Sequence, residues 1–116
     1  MDRAAHTERR LELSRKFKMI APNVYYQPPA TAKMSYPCIR YELSRFYSVH
    51  ADNLRYMKKP RYTVTVIDRD PDSKIPFDLM EFPLCSFDRH YVADNLHHWV
   101  FGIYWWREIR VSIIFY

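Results

Sequence analysis

Between Arg61 and Ile67 the chain alternates. Tyr62, Val64 and Val66 point one way, and Arg61, Thr63 and Thr65 point the other. A period of two in β-branched and aromatic residues predicts a half-buried strand. The pattern stops at Asp68-Arg69-Asp70-Pro71-Asp72-Ser73. Pro71 removes a backbone donor, so the strand cannot run through it. Asp72 or Ser73 is placed to cap a short helix over Ile75 to Glu81, which carries Ile75, Phe77, Leu79 and Met80.

The rest of the chain is read against that strand. Thr7 to Ile20 has helical spacing, with Arg10, Leu13, Phe17 and Ile20 on one face. Thr7 is placed as its N-cap, residues 1–6 read as a flexible lead, and Pro22 ends the helix. Val24-Tyr25-Tyr26 predicts a short strand ended by Pro28 and Pro29, and residues 30–35 read as a loop. Tyr36 to Leu43 predicts a second strand, with Pro37 at its first position. Residues 44–59 show no sustained period and read as an arm, with a short strand at Phe46, Tyr47 and Val49 and a turn at Ala51-Asp52-Asn53. Pro83 breaks the chain. Ser86 to Val92 then predicts a strand with Phe87, Arg89 and Tyr91 on one side. Ala93-Asp94-Asn95 predicts a turn, and His98 to Trp106 a strand with Trp99, Phe101, Ile103 and Trp105 on one face. Arg107-Glu108 reads as a turn and Arg110 to Tyr116 as a last strand. Ala-Asp-Asn-Leu occurs at 51–54 and at 93–96; four residues do not make a repeat. The predicted class is α+β: a mostly antiparallel sheet with one long N-terminal helix and one short helix on one face.

Length makes this one domain, residues 1–116. A chain of this size buries roughly two thirds of the surface its unfolded form exposes. Ten Tyr and three Trp fit either an interface or a Tyr-rich core. A net charge of +5 suits nucleic acid or an acidic protein. The cations are spread: Arg9, Arg10, Arg15, Lys16 and Lys18 read as a solvated helix face, and Lys58, Lys59 and Arg61 precede the central strand. Cys38 and Cys85 form no CxxC pair and have no zinc-finger partners; free, reduced thiols are expected. There is no run of about 18 apolar residues and no signal-peptide apolar region. A soluble product outside the general secretory route is expected, with no membrane partner. A single glycine, Gly102, excludes a P-loop and a GxGxxG loop. Asn and Asp are expected at positive-φ turn positions.

Candidate chemistry is sparse. Asp68, Asp70 and Asp72 have the opening spacing of a calcium loop, but Ser73 and Leu79 stand where Gly and Glu are needed. His97 and His98 face opposite sides of a strand, so they cannot chelate together; His90 could join one of them. Cys85, Asp88 and His90 lie too close in sequence for a nucleophilic triad, and no glycine turn follows. No catalytic residue, metal ligand or cofactor is assigned. Exposed Tyr, Trp, Arg and Lys on strand faces could stack and hold single-stranded nucleic acid, although no recognition motif appears.

Four segments taken together carry a resemblance. They are Asn23-Val24-Tyr25-Tyr26-Gln27-Pro28-Pro29, Tyr36-Pro37-Cys38-Ile39-Arg40-Tyr41, Arg61 to Ser73, and Cys85 to Leu96. In this order they resemble the tail-completion, or tail-terminator, proteins of tailed bacteriophages. The resemblance covers roughly residues 8–106. It implies an α+β protein of the virion neck, assembled in the host cytoplasm. It implies a homo-oligomeric ring, usually a hexamer, that ends polymerisation of the tail tube and joins the tail to the head-side connector, with genomic DNA passing through the lumen without sequence recognition. Such a ring closes by heterologous contacts. Interface positions are expected at Arg61, Asp68, Arg69, Asp70, Asp72, Asp88 and Arg89. Another neck, adaptor or stopper component, or a small single-strand nucleic-acid-binding module, are the alternative readings.

Overall fold

The computed structural model describes residues 3–51 and 55–106. Its elements are α1 (Arg3–Lys18), β1 (Val24–Tyr26), β2 (Cys38–Ala51), β3 (Arg55–Asp68), α2 (Ile75–Met80), β4 (Cys85–Ala93) and β5 (Leu96–Tyr104). The five strands form one sheet in the order β1-β2-β3-β5-β4. Only the β1–β2 pair is parallel. The class is therefore α+β with a mostly antiparallel sheet, as the alternation predicts.

Register divides the sheet into two faces, because directly opposed residues share a side. One face carries the rows Ile39–Val66–Trp99, Tyr41–Val64–Phe101 and Leu43–Tyr62–Ile103. Ile39, Tyr41, Tyr62, Val64, Val66, Phe101 and Ile103 are buried; Trp99 is half-buried. They form one cluster with Leu13 and Phe17 of α1 and Ile75 and Leu79 of α2. Phe17 meets Tyr41 edge-on at 5.1 Å, and Tyr41 meets Tyr62 at 5.8 Å. Tyrosine thus serves the core at positions 41 and 62, while Tyr47 and Tyr91 are exposed. The Trp105 indole, buried at the end of β5, donates to the Arg9 carbonyl at 2.9 Å and ties α1 to the sheet.

Several boundaries differ from the sequence reading. The first helix spans Arg3–Lys18, so Thr7 lies inside it rather than at its N-cap. Its start contains Ala4 and Ala5, the best helix formers, which extend it past the polar residue chosen as a cap. The short helix has Lys74 at its N-cap with no side-chain cap. Ser73 instead accepts the Ile75 N–H at its Oγ, at 3.3 Å. The strands β2 and β3 continue as a paired ribbon through most of the segment read as an arm. Their register compensates for the missing period with a bulge at Ser44, whose hydroxyl donates to the Arg61 carbonyl at 2.8 Å. The turn expected at 51–53 falls mostly, and the elements expected at 107–116 wholly, outside the described residues.

A second bulge, at Asp88, overturns the expectation that Phe87, Arg89 and Tyr91 share a side. Phe87 opposes Phe101, whereas Arg89 opposes Val100, so the extra residue sends Arg89 and Tyr91 to the other face. The β4–β5 hairpin closes on Asp94 and Asn95, with φ of 53° and 63°. That is the two-residue turn with both φ positive that suits hairpin twist. Asp and Asn do take these positions, but Gln27 and Leu84 are also left-handed, at 44° and 57°. Both sit at junctions, after β1 and before β4, where the chain must change direction.

Candidate functional site

The acidic turn is built from its own side chains. Asp68 accepts the Asp70 N–H at 3.1 Å, and Asp70 accepts the Asp72 N–H at 2.8 Å. These are two successive Asx turns, a local motif that Asp forms readily. The Ser73 N–H closes the segment on the Asp70 carbonyl at 3.2 Å. Arg69 leaves this group and lies 5.6 Å from the Tyr36 ring. Asp70 and Asp72 are exposed, and Asp68 is half-buried. Among the described residues, no group of three or more His, Cys, Asp or Glu side chains is placed to hold a metal ion.

The histidines separate as their spacing requires. His90 Nε2 lies 2.9 Å from His97 Nδ1, and both rings flank Trp99 at 5.3 and 5.7 Å. His98 is on the other face, stacked on Tyr91 at 4.6 Å and 10°. Cys38 and Cys85 are free thiols, the first buried and the second half-buried. Burial pushes both up to about 11. They are thus far from the low values of reactive cysteines.

The other face of the sheet carries a set of cations from β2, β3 and β4. One row crosses all five strands: Tyr25, Arg40, Thr65, Val100 and Arg89. The row Glu42–Thr63–Gly102–Ser86 follows, then Arg45–Arg61–Tyr104, then Tyr47–Lys59. Arg61 lies across β5. A Cβ on Gly102 would come within 2.0 Å of its Nη2 and 2.5 Å of its Cζ. The only glycine therefore makes room for a guanidinium. Arg61 is 5.9 Å from the Tyr104 ring, and Arg45 donates to the Tyr104 hydroxyl at 3.4 Å. Lys59 sits 4.4 Å over the Trp106 ring, and Arg89 5.6 Å from Tyr91. The carboxylate among these rows is Glu42, 3.5 Å from Arg40. At one end Pro28, Pro29 and Met34 overhang the sheet and enclose a cleft of about 290 Å³, floored by Arg40, Thr65 and His98.

Of the seven interface candidates, the structure brings Arg61 and Arg89 onto this face and Asp68, Asp70 and Asp72 into the turn; Arg69 lies by Tyr36 and Asp88 in the bulge. Sequence reasoning grouped Lys59 with Arg61 but missed Arg40 and Arg45 as their companions. The signal was present for Arg40, which alternates with Ile39 and Tyr41. It was hidden for Arg45 by the bulge at Ser44.

No protein-family model, curated protein or solved structure matches the chain.

Proposed function

We propose that the protein is a structural component of a phage neck, a tail terminator that assembles as a ring on the head-proximal end of the tail tube and meets the head-side connector. The fold is read with both helices covering the Val64 face, and the interface is read at the edge formed by β4 and α2. One observation carries this. The strand β4 is last in the sheet order and exposed from Ser86 to Ala93. Beside it, Phe77 is 70% exposed and Met80 52%, while Phe87 is 50% and Val92 55% exposed on the strand itself. A sheet edge with large apolar side chains is a template for association, and a heterologous contact there closes a ring if the rotation permits. The charged turns would set register through complementary pairs rather than add much affinity.

The test is the mass of the protein alone and with purified tail tubes. Ring-sized particles or capture at one tube end support the reading. A monomer that ignores tubes at every concentration removes it. Val92→Lys in the same assay should abolish the oligomer while leaving the circular dichroism unchanged, because position 92 is solvent-exposed in the monomer.

A further inference from the structure

We propose that the sheet face bearing Arg40, Arg45, Lys59, Arg61 and Arg89 binds nucleic acid through its phosphate backbone, without reading sequence. The inference stands whether or not the chain forms a ring.

Charge complementarity identifies the occupant. Five cations come to one face through the register, against one carboxylate, Glu42, in the same rows. A second carboxylate, Asp94, lies at the rim of the cleft. A cluster of this composition attracts a polyanion and little else. Four of the five cations are arginines, whose planar fork fits phosphate oxygens in two parallel hydrogen bonds. They are mounted on strands rather than on loops. Arg40 and Arg89 stand in one row three strand spacings apart, roughly 14 Å at about 4.8 Å per strand. Arg45 and Arg61 lie two rows further along. The cations therefore form an extended track, not one anion pocket.

The aromatic neighbours favour nucleic acid over an acidic polypeptide. Tyr104, Trp106 and Tyr91 each have a cation over or beside the ring. Tyr47 and Tyr91 are 52% and 41% exposed. Such rings offer a surface on which unpaired bases stack, and every base has a π-face, so stacking is sequence-tolerant. A carboxylate chain has nothing to place there.

The experiment is fluorescence anisotropy of the full chain with labelled oligonucleotides of unrelated sequence, single-stranded and duplex, across a salt series. Binding should be indifferent to sequence. It should weaken roughly a hundredfold between about 50 and 200 mM salt, as expected for about four phosphate contacts. Arg45→Gln with Arg89→Gln should lower affinity at least tenfold at low salt. It should also reduce the logarithmic salt slope by about two phosphate contacts, which a merely structural loss would not do. Glu42→Gln should tighten binding several-fold. Arg15→Gln with Lys16→Gln, on α1, should change neither affinity nor slope. Preference for single strands would assign Tyr47 and Tyr91 to base stacking. Equal binding of duplex would assign the face to phosphate contact alone. The inference is overturned if the Arg45/Arg89 variant binds like the parent, if the α1 variant loses as much, or if polyglutamate displaces the oligonucleotide at equal charge concentration.

Discussion

The two faces of the sheet are made by the same strands and could hardly differ more. On β3, Tyr62, Val64 and Val66 are fully buried, while Arg61, Thr63 and Thr65 between them stay half-buried. The first set fills a cluster closed by Leu13, Phe17, Ile75 and Leu79. The second faces cations and aromatic rings in contacts worth about 0.5–1 kcal/mol each when exposed. The difference teaches where packing constrains the chain. Packing decides the identity of residues on the Val64 face. Opposite, Cys38, Ile67 and Val100 are buried, but the charged positions of that face stay partly or fully exposed and are constrained less by packing.

The contrast breaks most clearly at Phe101. It is 1% exposed between Val64 and Phe87. Phe101→Ala should destabilise the fold by about 3–5 kcal/mol, through lost transfer energy and the cavity left behind. Arg89→Ala, one row along on the other face, should stay within about 0.5 kcal/mol. Urea unfolding of both variants checks the pair. Similar midpoints would mean that the two faces are not energetically distinct.

Cys38 sharpens the comparison, because it is fully buried although it belongs to the cationic face. Its thiol rises from 9.0 to about 11, chiefly through burial, with Arg40 opposing. A raised value means the folded state holds the proton more tightly than the unfolded chain. That contribution is complete below pH 9 and is lost as pH climbs from 9 to about 11. For Cys38 the full span corresponds to roughly 2–3 kcal/mol as an upper bound. Cys38→Ala should start less stable and then lose less across that window. Parallel pH profiles for the two proteins would show that the thiol does not ionise on unfolding.

Much of this was legible in the chain, for a physical reason. Alternation at 61–67 and at 98–105 is strong because one face must be apolar and its neighbours need not be. Register was legible only where alternation is unbroken. The bulges at Ser44 and Asp88 each insert one residue, and one residue is enough to move every later side chain to the other face. That is why Arg89 and Phe87 seemed to be companions and are not, and why Arg45 was not grouped with Arg61. Helix limits were misread where a polar residue, Thr7, looked like a cap inside a segment that alanines extend.

The acidic turn offers a smaller test, between charge and geometry. Asp68 and Asp70 act as hydrogen-bond acceptors within the turn. Asp70→Lys with Asp72→Lys removes one of those acceptors and should destabilise the monomer by about 1 kcal/mol while leaving it folded. If the turn lies at an interface, the double variant should also fail to assemble, because like charges across a packed contact cost several kcal/mol. Asp68→Asn with Asp70→Asn keeps the acceptors and removes the charge. Assembly that survives both pairs of substitutions, measured by mass and by titre of infectious particles, means that the turn is only a turn.

The smallest effect sets two core tyrosines against each other. Tyr41 and Tyr62 are both fully buried. The Tyr41 hydroxyl is hydrogen-bonded to Ser14 Oγ and accepts from Arg10 Nη1 at 3.4 Å. The Tyr62 hydroxyl is buried with no partner among the described residues, while its ring stacks on His6 at 6.4 Å. Burial raises the Tyr62 phenol above its ordinary value, and Tyr26 and Tyr41 add to the effect against Arg10. An unsatisfied buried hydroxyl carries its desolvation penalty without return, so removing it while keeping the ring relieves that penalty. Tyr62→Phe should therefore be neutral or stabilise by up to about 1 kcal/mol. Tyr41→Phe should destabilise by about 1 kcal/mol, because it strands Ser14 and Arg10 and keeps nothing in exchange. The two substitutions delete the same atom from neighbouring rings, so opposite signs isolate the hydrogen bonding. Thermal melts in which Tyr62→Phe falls as far as Tyr41→Phe would mean that the Tyr62 hydroxyl has a partner after all.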